Sequence, residues 1–103
     1  MLDVVRRYSA MPIGIQLGHA GRKAATRPPW QVGGPHGRTL APGEGGWATV
    51  GPSSLAFGSG WPVPAALDEA GMDRIVVAFA QATARCARLG LDLIELHSPR
   101  MAT

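Results

Sequence analysis

The sequence predicts an α/β fold with parallel strands, and three observations carry the prediction. An apolar run, Ile13-Gly14-Ile15-Gln16-Leu17, follows the helix breaker Met11-Pro12 and ends in Gly18-His19-Ala20-Gly21-Arg22-Lys23. A long amphipathic segment after Asp68 carries apolar residues at three- and four-residue spacing and stops at Gly90. A second apolar run, Leu91 to His97, leaves that glycine directly. A helix feeding a strand through one glycine is the usual joint of a parallel sheet.

Taken in order, residues 1–10 read as the end of a helix, with Leu2, Val5 and Arg6 at helical offsets and Val4 and Tyr8 alongside. Pro12 removes a backbone donor and biases Met11 towards extended geometry, so the helix stops there. Residues 13–17 then form a strand. Period-two alternation points Ile13, Ile15 and Leu17 to one face and Gly14 and Gln16 to the other. The second face therefore has open space beside its backbone and an amide near its end.

Residues 25–66 are rich in glycine and proline, as in Pro28-Pro29, Gly33-Gly34-Pro35, Pro42-Gly43 and Gly58-Ser59-Gly60. No period survives there, so a long loop is expected, with one short extended segment involving Val50 and Leu55-Ala56-Phe57. Trp30, Trp47 and Trp61 point to a packed loop, because a flexible linker has no use for large apolar rings.

Asp68 is the expected N-cap of a helix over residues 69–89, with Met72, Ile75, Val76, Phe79 and Thr83 as its inward stripe and Arg74, Arg85 and Arg88 away from it. Gly71 weakens the first turn by up to about 1 kcal/mol relative to alanine, a tolerable cost for a helix packed on one side. Gly90 supplies the left-handed position after the helix. Residues 91–97 form the second strand, with Leu93, Glu95 and His97 on one face and Ile94 and Leu96 on the other. With Ile13, Ile15 and Leu17 on the helix-covered side, Gln16, Glu95 and His97 share the opposite face.

Composition narrows the functional classes. The 103 residues are 46% hydrophobic and 17% charged, ordinary values for a globular chain. The net charge of +3 invites an anionic partner. The arginines are scattered, however, and no basic tail is present, so a nucleic-acid partner is not expected. The one cysteine, Cys86, excludes an intramolecular disulfide and fits a reducing compartment, so a cytoplasmic location is expected. Met1 to Arg7 puts an acid and two arginines where a signal peptide needs its apolar core. No run nears the roughly 18 apolar residues of a spanning helix, so neither secretion nor membrane insertion is expected.

Several residues invite a chemical reading. Gln16 taken alone is a polar residue ending a strand and bonded to loop backbone. Alternatively, its amide offers a donor and an acceptor together to a bound ligand. His19, Arg22 and Lys23 follow glycines but lack the Walker spacing, so bracing of loop carbonyls stands against anion binding. His97 alone reads as a satisfied strand-end group or as a ligand contact. His19, His36, His97 and Cys86 have no metal-ligand spacing, and no metal is expected. Ser53 and Ser54 sit in no nucleophile elbow, and no G-x-G-x-x-G follows a strand.

The run Gln16-Leu17-Gly18-His19-Ala20-Gly21-Arg22 resembles the Q-x-x-H-x-G-R segment of the Old Yellow Enzyme family of FMN-dependent ene-reductases. Ile94-Glu95-Leu96-His97 resembles the family strand that ends in its substrate-binding histidine. Val50-Gly51-Pro52-Ser53-Ser54-Leu55-Ala56-Phe57 is similar to the family's long excursion after its third barrel strand. The resemblance implies a flavoprotein built on a TIM barrel, with FMN as cofactor, NAD(P)H as reductant and an activated alkene as small-molecule substrate. It implies Gln16 as the cofactor-binding residue and His97 with Arg100 as the substrate-binding pair. The family pattern continues H-x-x-H or H-x-x-N and then G-Y, and here Arg100 holds the second of the paired positions. Ala102 stands where the family's proton-donating tyrosine belongs, so no catalytic residue is expected in this chain.

A complete (β/α)8 barrel takes about 250 residues. The expected architecture is therefore a partial TIM barrel, one internal fragment over residues 1–103 with about two parallel strands, one full helix and a long Gly/Pro-rich loop. Such a fragment is expected to be inactive alone. Two readings from other classes stand beside it. One is a non-enzymatic remnant or interaction module that folds as an oligomer or with the remainder of a barrel. The other is a small anion- or nucleotide-binding domain using Gly18 to Lys23.

Overall fold

Met11-Pro12 separates the first helix from the first strand, and everything that positions the candidate site follows from that break. The computed structural model describes residues 1–31 and 38–97. Helix α1, Leu2–Tyr8, has Asp3 in its first turn and Arg6 and Arg7 in its last, the polarity that suits the helix dipole. Ser9 ends it in extended geometry. Strand β1 follows at Gly14–Gly18, one residue further along than residues 13–17; the Ile13 N–H goes to the Asp92 side chain rather than to a backbone carbonyl.

The described residues between 20 and 66 form a series of tight turns rather than a featureless loop. Three 3-10 turns occupy Gly21–Lys23, Pro29–Gln31 and Pro42–Glu44. Strands β2, Val50–Gly51, and β3, Ala65–Ala66, form a short parallel pair, and Thr26 meets Thr39 in an antiparallel bridge. Val50 is thus extended, whereas Leu55-Ala56-Phe57 is outside any strand. The tryptophans do not pack alike. Trp61 stacks edge-to-face on Phe57 at 5.0 Å, but Trp30 and Trp47 are 83% and 60% exposed, so only Trp61 acts as a loop anchor.

Helix α2 runs Glu69–Arg88. The Asp68 carboxylate accepts the Gly71 N–H at 2.6 Å, capping its first turn. Gly90, left-handed at φ 67°, stops it, and the Leu91 N–H returns to the Cys86 carbonyl at 3.2 Å. That return holds Leu91 in the helix terminus, so strand β4 is Leu93–His97 rather than residues 91–97. The inward stripe agrees with the expected one at Ile75 and Phe79 and differs at the other positions. Ile75, Phe79, Ala82 and Cys86 are the less exposed positions, while Met72, Val76 and Thr83 face solvent, Val76 at 66%.

The chain divides into two units. One comprises Met1–His19 with the chain from Arg74 onward; the other is Ala20–Asp73. In the first, β1 and β4 pair in parallel, with Gly14 opposite Leu93, Gln16 opposite Glu95 and Gly18 opposite His97. In the second, the β2–β3 pair and the turns enclose Ala25, Thr49 and Pro64. Helix and parallel strands together make the chain α/β. Among the described residues the buried apolar side chains are few: Ala25, Cys86 and Pro64.

Below the β1–β4 ladder sits a polar clamp. The Asp92 carboxylate accepts the Ile13 N–H at 2.9 Å and faces the Arg6 guanidinium at 3.3 Å, and Arg6 also donates to the Gly90 carbonyl. The Ile13 hydrogen bond, aided by the Arg6 charge and opposed by partial desolvation, holds the Asp92 carboxyl below the usual aspartate range. Because the folded state favours the ionised form, this stabilisation is complete above the ordinary aspartate value of about 3.9 and is lost as pH falls through the lower folded value. An NMR titration of the Asp92 carboxyl carbon is expected to show a midpoint below about 3.9. A midpoint at or above that value would mean that the clamp does not form in solution.

Candidate functional site

Residues opposite each other in a parallel ladder carry their side chains on the same face. Here the glycines make the assignment directly. A Cβ built on Gly14 lies 3.3 Å from the Leu93 Cβ, and one built on Gly18 lies 3.5 Å from the His97 Cβ. Gly14, Gln16 and Gly18 therefore share a face with Leu93, Glu95 and His97, and all six are exposed. The opposite face carries Ile15, Leu17, Ile94 and Leu96. On that side Leu17 lines an apolar hollow of about 180 Å³ together with Ile75, Ala78, Phe79 and Ala82, so α2 covers it. With a rise of about 3.3 Å per residue and strands about 4.8 Å apart, the Gln16 and His97 backbones stand roughly 8 Å from one another.

The open face has a definite chemistry. Gln16 presents a donor and an acceptor on one planar amide, between two glycines that leave the backbone uncovered. Its direct neighbour Glu95, when ionised, is an acceptor and not a donor, and His97 lies two residues further towards the strand end, beside Gly18. A flat heterocycle with alternating acceptors and N–H groups matches that set, because no β-carbon on β1 beside Gln16 keeps it off the strand. The donor set thus fits a flavin ring edge. Arg100 and Ala102 lie outside the described residues, as does His36.

Glu95 is the residue of this face that motif reasoning passed over as a site residue. Alternation put it beside Gln16 and His97, and the register makes it the direct partner of Gln16. Asp92 was missed altogether; the available signal was an aspartate two residues after a helix-ending glycine, at the mouth of a strand.

In the other unit, Arg22, Lys23, Phe57 and Trp61 cluster. The Lys23 ammonium sits 4.4 Å from the Phe57 ring centroid, the Arg22 guanidinium lies 5.9 Å from it, and Arg22 also donates to the Leu55 carbonyl at 3.4 Å. Cation–π contact and carbonyl bracing are structural uses of these cations. Among the described residues, no group of three His, Cys, Asp or Glu side chains is placed to hold a metal ion, and no helix is long and apolar enough to cross a membrane.

No protein-family profile matches the chain. Curated proteins do match over most of its length. It is 39% identical over 89 residues to a NADH:flavin oxidoreductase of Gibberella zeae, an alignment covering 84% of this chain and 21% of that protein. It is 31% identical over 98 residues to the NADPH dehydrogenase of Geobacillus thermodenitrificans, covering 95% of this chain and 23% of the relative. It is 33% identical over 91 residues to the NADPH dehydrogenase of Listeria monocytogenes, covering 88% and 21%. The chain thus spans about a fifth of the length of the curated relatives it matches.

Proposed function

We propose, because this chain is homologous to a segment of the Old Yellow Enzyme family, that it carries the flavin-edge and substrate-oxygen contacts of an FMN-dependent, NAD(P)H-driven reductase of activated alkenes. The observation that supports this reading is the open face shared by Gln16, midway along β1, and His97, at the C-terminal end of β4. In barrel enzymes that end carries the chemistry, so the two strands read as part of a TIM barrel. A cytoplasmic location belongs to the same proposal.

Each residue has a distinct task in it. The Gln16 amide donates to and accepts from the pyrimidine edge of the ring, and the neighbouring glycines let the ring lie against the strand. FMN, when bound, supplies hydride from N5 after reduction by NAD(P)H. His97 and Arg100 donate hydrogen bonds to the carbonyl oxygen of the alkene substrate, drawing electron density from the double bond as charge develops on that oxygen. Arg100 is longer than histidine or asparagine and permanently charged. Ala102 has no proton to give, and water completes the reduction at the other carbon.

Titration of FMN and of riboflavin into the purified chain, followed by flavin fluorescence, tests the reading. Weak, saturable quenching of both is expected, because Gln16 meets the ring and not the phosphate, and Gln16→Ala should abolish it. Quenching by FMN alone, displaced by inorganic phosphate, would transfer the site to Gly18–Lys23 and overturn the proposal. Absence of any quenching would favour the second reading, an interaction module. That reading draws on the scarcity of buried apolar side chains and on the exposure of Met72, Val76, Val77 and Leu96, between 50% and 66%. Such faces need covering by a second copy of the chain or by the remaining segments of a barrel.

A further inference from the structure

We infer that Asp92, steered by Arg6, is a positioning group that fixes the register of β1 on β4 and so keeps Gln16 and His97 on one face. The inference rests on the reading of that face as the site. A two-stranded parallel ladder does little to choose its own register, because sliding one strand by a residue re-forms backbone hydrogen bonds of the same kind. The slip nevertheless turns every side chain of that strand to the opposite face. Here it would send Glu95 and His97 to the α2 side, away from Gln16.

Within β4, apolar burial discriminates between the two registers at Ile94, which is less exposed than the rest of the strand. Leu93 and Leu96 point to opposite faces, yet they are 66% and 63% exposed, so the leucines of β4 would lose little by exchanging sides. The clamp discriminates as well. The Asp92 N–H donates to the Ile13 carbonyl at 2.9 Å while the Asp92 carboxylate accepts the Ile13 N–H at 2.9 Å, so one residue satisfies both backbone groups of another. This closed pair stands immediately before the first ladder pair, Gly14 and Leu93. Arg6 ties Asp92 and the Gly90 carbonyl to α1. A slip of one residue displaces Asp92 by about 3.3 Å along the strand and breaks both hydrogen bonds to Ile13.

Cysteine cross-linking of the full chain in a Cys86→Ala background reads the register. The Gly18 and His97 Cβ positions are 3.5 Å apart, within disulfide reach. Gly18→Cys with His97→Cys reports the native register, and Gly18→Cys with Leu96→Cys reports the slipped one. Mild oxidation followed by peptide mapping gives the ratio of the two intramolecular yields. The native cross-link should predominate when Asp92 is present. In Asp92→Ala the ratio should fall by about tenfold or more, the equivalent of one lost charge-assisted hydrogen bond. Asp92→Asn keeps an acceptor for the Ile13 N–H and should stay within about threefold of the parent. Equal yields in the parent, an unchanged ratio in Asp92→Ala, or a fall in Asp92→Asn as large as in Asp92→Ala would each overturn the inference. No flavin enters the measurement, so its outcome is independent of whether Gln16 binds FMN.

Discussion

Anaerobic incubation of the purified chain with FMN, NADPH and a maleimide or cyclohexenone is expected to consume no alkene beyond the rate of free flavin. Hydride transfer between two bound molecules depends on holding them in one geometry, an advantage worth up to about 10⁵–10⁸ M in effective concentration. A side-chain amide on one strand restrains only one edge of a ring, and the face around Gln16 is exposed throughout. In the proposed function His97 is the described residue assigned to the substrate oxygen, and the sequence has alanine at 102, where the family pattern has a proton donor. The contrast lies in a chimera with this chain in place of the matching segment of the Geobacillus thermodenitrificans NADPH dehydrogenase. There His97→Ala should lower kcat/KM by about 10²–10³, the usual size of one lost oxyanion donor. Gln16→Ala should lower the flavin content of the same chimera. Saturable turnover by the isolated chain, abolished in Gln16→Ala or His97→Ala, would refute the expectation.

How far the sequence discloses this arrangement depends on whether the signal is local. Alternation within Ile13–Leu17 and Leu93–His97 needs no partner to be read, and it places Gln16, Glu95 and His97 on one side, the side they occupy in the ladder. The helix is equally legible, since Asp68 and Gly90 mark its ends by backbone chemistry that acts within one turn. Its orientation is only partly so. Ile75 and Phe79 are inward as the spacing predicts, but Met72, Val76 and Thr83 share that spacing with Ala82 and Cys86, and only the partner sheet chooses between those. The β2–β3 pair is hidden for a related reason: two residues on each strand carry no period, and their partners lie fifteen positions apart. Asp92 is illegible because its function is a hydrogen bond to Ile13, 79 residues away in sequence.

The largest stability effect is expected from Gly46→Ala, in the second unit. A Cβ at Gly46 would overlap the Leu40 carbonyl oxygen and lie 2.7 Å from the Leu40 carbonyl carbon and 2.8 Å from the Ala41 oxygen. All three are backbone atoms, which cannot rotate away as a side chain would. The turn they belong to is held closely. Gly46 donates to the Ala41 carbonyl at 3.0 Å, and the Glu44 carboxylate accepts the Ala41 N–H at 3.0 Å and pairs with Arg27 at 2.5 Å. Opening the turn therefore releases Glu44 from Arg27 and loosens the adjoining contacts, in which Leu40 donates to Ala25 and Arg27 to Arg38, each at 2.8 Å. The cost should reach about 3 kcal/mol, the upper end for overpacking without relief. Two neighbouring glycines calibrate it. Gly43 has nothing within 4 Å of a new Cβ, so Gly43→Ala should be neutral within about 0.5 kcal/mol. Gly45 is equally uncrowded but sits at φ 88°, so Gly45→Ala should cost about 1–2 kcal/mol through backbone strain alone. Amide exchange at Arg27 and Leu40 reads all three variants. Protection should be lost in Gly46→Ala, reduced in Gly45→Ala and retained in Gly43→Ala, and a Gly46→Ala variant as well protected as Gly43→Ala would show that the turn does not close in solution.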